Sequence, residues 1–222
     1  VFLDIDAWKK IVDNCVEILS PHGFNIAGGE PLLYKDLDIL IRYIKSKNLY
    51  CSIITNGSLL TNDWIENNVK YLDCIGISID SFNEDVLVNM GCVSKSKGLT
   101  YERLKEICHC IKMNNPKCGI KINTVVCNIN KEQEMFKQLN EIGYPLKWKM
   151  LKMKEFQKDG FENQYLSIND FEYHDFVKRN LGVMIEKSNK SLIVEKNNIC
   201  AVVERELKGG YIIILPHGYL VN

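Results

Sequence analysis

Along residues 1–151 the apolar positions switch repeatedly between a helical period and compact strand-like runs, and this alternation restricts the fold more than any single motif. Trp8, Ile11, Val12, Cys15, Val16 and Leu19 recur at helical spacing and are closed by Pro21 and Gly23. That predicts a helix followed by a strand at 24–27. Leu37, Leu40, Ile41 and Ile44 repeat the pattern, Asn48 breaks it, and 50–55 reads as a strand stopped by Asn56-Gly57. Next come a short helix at 64–69, a third strand at 72–79, a helix at 102–113 and a fourth strand at 119–127. A helix at 131–142 and a fifth strand at 146–151 complete the series. Strands joined through single helices need right-handed crossovers and build a parallel sheet, so the expected class is α/β. Past Asp159 the regularity weakens. Residues 169–177 read as a helix, 191–195 as a short strand, and 210–221 as a hairpin turning at Pro216 and Gly218. The charged stretch 152–158 lacks periodicity and reads as a solvated loop.

With 222 residues, 46% of them hydrophobic, the chain supports one sizeable core. Its 28 basic and 28 acidic residues cancel, so no global field draws it to nucleic acid or an anionic membrane, and any anion site must be local. No apolar run approaches the roughly 20 residues of a membrane span, and no signal-peptide pattern opens the chain; it reads as a soluble protein. Nine scattered cysteines suit a reducing, cytoplasmic compartment better than a disulfide framework. Cys108 and Cys110 form the one close pair, but CxC spacing turns the two side chains to different sides of a helix. Small core residues are the simpler reading.

Polar residues gather where predicted strands end or alternate. Glu30 follows the first strand, Thr55 and Asn56 the second, and Ser78, Asp80 and Ser81 the third. Strand alternation places Lys121 and Asn123 on one face of the fourth strand, and Lys147 and Lys149 on one face of the fifth. Lysines inside a parallel strand are expensive to bury unless an anion meets them, so two such pairs ask for a phosphate or polyphosphate. A solvated outward end is the alternative. Gly28 and Gly29 let the backbone approach a ligand closely at the carboxyl end of the first strand, and Glu30 adds an anion there.

These segments, in order, carry a family resemblance. NIAGGEPLL, SIITNGSLL with Trp64 beyond it, YLDCIGISIDSFNEDV, KINTVV, KWK at 147–149 and the late GYIIILPHGYLVN resemble radical S-adenosylmethionine (SAM) enzymes, and within them the viperin-like group. The resemblance implies a partial (βα)6 TIM-like barrel over 1–155, lacking its first strand and cluster loop. A C-terminal α/β extension over 156–222 would complete the substrate pocket. It implies SAM and a [4Fe-4S] cluster as cofactors, an electron-donor protein as partner, and a nucleoside triphosphate as substrate. That substrate, CTP by expectation, would be converted to a 3′-deoxy-3′,4′-didehydro product with antiviral effect. Carried onto this sequence, Gly28, Gly29, Glu30, Asn56, Ser78 and Asp80 would bind SAM. Lys121, Lys147 and Lys149 would hold the triphosphate, Asn123 the ribose region and Tyr211 the base side.

Three features depart from the family pattern. No spacing among the nine cysteines gives CxxxCxxC, Cys92 stands where the family has an arginine after Met-Gly, and an arginine after the KIN strand is replaced near Asn128. Three thiolates are needed to hold a cluster with one iron open, so the expectation is a fragment, inactive alone, whose cluster loop lies upstream. This leaves N-terminal membrane anchoring open. The rival expectations are a radical SAM enzyme acting on a peptide or other substrate, and a degenerate nucleotide-binding module without catalysis.

Overall fold

The computed structural model describes residues 3–91, 98–154, 157–158, 161–162, 164–184, 191–204, 213–215 and 220–221. Helix α1 (Ile5–Leu19) begins where the Asp4 carboxylate accepts a hydrogen bond from the Ala7 amide at 2.8 Å. It ends at Ser20, in the left-handed region at φ 46°. The chain continues through β1 (Gly23–Ile26), α2 (Leu37–Ser46), β2 (Tyr50–Thr55), α3 (Asn62–Asn68) and β3 (Cys74–Ser78). Then follow α4 (Glu84–Asn89), α5 (Tyr101–Asn114), β4 (Gly119–Val126), α6 (Phe136–Glu141) and β5 (Leu146–Lys152). The last elements are β6 (Gln157–Lys158), β7 (Phe161–Glu162), α7 (Asp170–Leu181), β8 (Ser191–Lys196), β9 (Ile199–Glu204), β10 (Ile213–Ile214) and β11 (Leu220–Val221).

Seven strands form one sheet in the order β1-β2-β3-β4-β5-β9-β8, parallel throughout except for the antiparallel β8 edge. From β1 to β5 the order follows the chain without reversing. Right-handed crossovers then stack their helices on a single face, the arrangement of an incomplete barrel rather than of a doubly wound sheet. Strand alternation sorts the residues accordingly. Ile75, Ile77, Ile120, Ile122, Trp148 and Met150 are buried in the same core as Ile41, Ile44, Leu104, Ile107, Ile111 and Phe176 of the helices. Two polar side chains inside this layer satisfy each other: Trp148 Nε1 donates to Thr124 Oγ1 at 2.9 Å, and the Thr124 hydroxyl donates to the Ile79 carbonyl at 2.7 Å.

Three expectations change. The helix read over 131–142 is helical only at Phe136–Glu141. The Cys127 amide donates to Asn130 Oδ1 in a local turn, and the helix start is capped from outside, by Asn180 Oδ1 of α7 accepting from the Met135 and Phe136 amides. The loop read at 152–158 contains β6, paired antiparallel with β7. Strand β9 lies beyond the elements that the sequence pattern marks. It pairs with β5 and turns back from β8 through Asn197 at φ 53°. Residues 191–204 therefore continue the sheet of the first 152 residues. The hairpin expected at 210–221 is present as the antiparallel pair β10 and β11, with its turn outside the described residues.

Candidate functional site

Opposite the helices, the sheet presents a face whose strands carry polar and small residues in register. Gly76 of β3, Lys121 of β4, Lys147 of β5 and Cys200 of β9 are lateral neighbours. The next row of that face, one pleat toward the carboxyl ends, holds Ser78, Asn123, Lys149 and Val202. Partners across a ladder point to the same side, so three lysines and an asparagine from two strands share one surface. Lys121 and Lys149 are half-buried, Lys147 and Ser78 exposed, and Asn123 is 8% exposed.

The carboxyl end of β1 supplies the second half of the site. Gly28 at φ 99° and Gly29 at φ 54° adopt left-handed conformations that a side chain would strain, and the space where a Cβ would lie is open at both. Glu30 then caps the 3-10 turn Pro31–Leu33. Its Oε1 accepts from the Leu32 amide at 3.1 Å and from Thr55 Oγ1 at 2.7 Å, and its Oε2 accepts from the Asn56 amide at 2.8 Å. A carboxylate offers about four lone-pair directions, so one on Oε2 remains for an incoming ammonium. An open glycine edge beside a fixed anion can receive a ligand that carries an ammonium group. Neighbouring strands lie about 4.8 Å apart, which puts the lysines of β4 and β5 roughly 14–19 Å from this edge, enough for two ligands side by side.

The sequence-derived residues divide by what they touch. Glu30 and Asn56 meet directly through the Asn56 backbone, while the Asn56 side chain accepts from the Ser58 amide at 2.9 Å. Asp80 is committed to the fold as well: its Oδ1 accepts from the Val125 amide at 2.7 Å, and its carbonyl accepts from Asn130 Nδ2 at 2.9 Å. These bonds tie the end of β3 to the end of β4. Tyr211 and Cys92 lie outside the described residues. Thr55 proves more important than its strand-end position suggested, since its hydroxyl donates to Glu30 and accepts from the Gly57 amide at 2.9 Å. Asn25 and Ser52, bonded at 2.9 Å, extend the polar face to β1 and β2. Strand alternation from Phe24 would have found them.

The cysteines among the described residues do not fit an iron–sulfur cluster. Cys51, Cys108, Cys110, Cys118 and Cys127 are buried, and Cys15, Cys74 and Cys200 are half-buried. Among the described residues no three His, Cys, Asp or Glu side chains converge. Burial pushes the thiols of Cys51, Cys108 and Cys118 up to about 12, far from the thiolate that ligation requires. They are core residues, Cys108 and Cys110 included.

Comparison with known proteins gives this geometry a context. The model of the Radical SAM superfamily matches residues 1–144. A Selenomonas ruminantium protein named S-adenosylmethionine-dependent nucleotide dehydratase is 33% identical over 99% of this chain and 76% of its own length. One of the same name from a Fibrobacter strain is 32% identical over 82% of this chain and 54% of its own length. The chain thus spans about three quarters of the first relative and about half of the second. Among solved structures, Streptococcus suis SuiB superposes with a TM-score of 0.62 at 17% identity, over 90% of this chain and 42% of that one. At that identity the likeness concerns the fold.

Proposed function

The chain belongs to the radical SAM superfamily, in its viperin-like branch, and from that premise we propose that it binds SAM at the β1 edge and a nucleoside triphosphate on the lysine face. The reaction it serves is the loss of one water from the ribose of that nucleotide, CTP by expectation, giving the 3′-deoxy-3′,4′-didehydro form. One observation carries the reading: Lys121, Lys147 and Lys149 lie in register beside Asn123 on one face of a sheet whose first strand leads into Gly28–Glu30.

Each group has a defined task. Lys121, Lys147 and Lys149 neutralise the phosphates as point charges, and Asn123, with both donor and acceptor atoms, orients the sugar. The family resemblance assigns Tyr211, which lies outside the described residues, to the base. Gly28 and Gly29 let the methionyl group lie against the backbone, Glu30 receives its ammonium, and Ser78 offers a hydroxyl to its carboxylate. Bound there, SAM supplies the 5′-deoxyadenosyl group that this family uses to take hydrogen from substrate. Because the described cysteines do not fit a cluster, they take no electron-transfer step. An electron-donor protein completes the expected set of partners.

Isothermal titration tests the reading. Wild-type chain is expected to bind CTP and SAM together, and Lys149→Ala to weaken CTP at least tenfold while leaving SAM unchanged, since a lost charged contact is worth about 1.5–3 kcal/mol. Unaltered CTP affinity in Lys149→Ala would reject the nucleotide assignment and favour a peptide or other substrate.

A further inference from the structure

Gly76 lies inside β3 on the polar face, directly beside Lys121. Its backbone is not among those in the left-handed region, so chain conformation does not call for glycine here. A glycine inside a strand sacrifices packing and costs conformational entropy, which points to close approach by a neighbour as the reason for it. A Cβ at Gly76 would lie 3.1 Å from Ile54 Cγ1, 3.3 Å from Lys121 Cε and 3.4 Å from Asn123 Nδ2. Side chains from both flanking strands thus close over the space. The contact at Lys121 is with Cε, the last carbon before the ammonium, so the stem crosses from β4 over β3. The charge of Lys121, with that of Lys147, also reaches the Cys74 thiol on the same strand, opposing the upward push of burial on that group.

Resting on the nucleotide reading above, we infer that Gly76 is a positioning residue of the polyphosphate subsite. Without a side chain, it lets Lys121 lie across β3 beside Asn123 and so fixes where the ammonium meets the phosphates. A β-branched residue would keep the strand but lift the Lys121 stem and press on the Asn123 amide, leaving the charge present and misplaced.

The test is a double-mutant cycle on the full chain with inorganic tripolyphosphate as the probe and CTP in parallel, read by titration calorimetry. Circular dichroism and urea unfolding establish that each variant is folded. Gly76→Val and Lys121→Ala are each expected to weaken tripolyphosphate about tenfold, the scale of a 1–3 kcal/mol packing conflict. The double variant should bind no more weakly than Lys121→Ala, because the valine then has no stem to displace. Additive losses, or full affinity in a folded Gly76→Val chain, would overturn the role of Gly76 and leave the lysine assignment standing. Full affinity in Lys121→Ala would overturn the nucleotide reading itself. Should Gly76→Val not fold, Gly76→Ala takes its place in the cycle: a smaller loss abolished by Lys121→Ala supports the proposal, and no loss rejects it.

Discussion

Replacing Thr55 by valine isolates the strut beneath the Gly28–Glu30 edge, because the two side chains have nearly the same shape. The Thr55 hydroxyl donates to Glu30 Oε1 at 2.7 Å and accepts from the Gly57 amide at 2.9 Å, and the residue is 1% exposed. Valine removes a hydrogen bond to a charged group, worth about 1.5–3 kcal/mol, and leaves the buried Gly57 N–H unpaired at about 1–3 kcal/mol. The added methyl returns roughly 0.8 kcal/mol. The net loss is about 2–5 kcal/mol, or roughly 4–20 °C in Tm for a chain of this length. Serine keeps the hydroxyl and gives up only the methyl, about 1 kcal/mol. The assay is urea unfolding of wild type, Thr55→Val and Thr55→Ser, with hydrogen exchange at the Asn56 and Gly57 amides. Valine should lower the midpoint without changing the slope and should speed exchange at both amides. Equal stability of the two variants, with exchange unaltered, would refute the strut and the account of how Glu30 is aimed.

Asn130→Ala should cost about 2–4 kcal/mol in urea unfolding, because it strips partners from the Cys127 amide and from the carbonyls of Asp80 and Val125 at a fully buried position. Stability should also fall on the alkaline side. Burial holds the thiols of Cys51, Cys108 and Cys118 up to about 12 in the folded chain, against about 8.5 unfolded. Below the unfolded value both states are protonated and the contribution is fully present. Between the two values only the unfolded state ionises, so each thiol removes up to about 1.4 kcal/mol per pH unit. Denaturation midpoints measured from pH 8 to 11 should show this fall, and Cys108→Ala should flatten it; an unchanged profile in that variant would contradict the assignment. Anaerobic reconstitution of the chain with iron and sulfide should yield no stable [4Fe-4S] absorption, since the described cysteines do not converge. Stoichiometric cluster formation would disprove that reading.

Much of the architecture is legible in order and spacing. Helical and strand periods alternate through β5, and every lysine later found on the polar face was placed there by the twofold period of strands. What sequence could not supply was the partner of each strand-end polar group. Asp80, for example, accepts from the Val125 amide 45 residues away. The start of α6 carries no local cap signal because Asn180, also 45 residues away, provides it. Strand β9 lay in a short apolar run whose pairing with β5 is settled only by the sheet.

By itself, then, the sequence determined the α/β class and the family, and it placed the lysines of β4 and β5 on one face, because those follow from local periodicity and motif order. Tertiary structure alone decided which polar residues are neighbours. Register aligned Gly76 with Lys121 and Lys147, and Ser78 with Asn123 and Lys149. The close ends of β1 and β2 turned Glu30 toward Thr55 and Asn56. Those choices depend on hydrogen bonds and contacts between residues far apart in the chain, which no local pattern encodes.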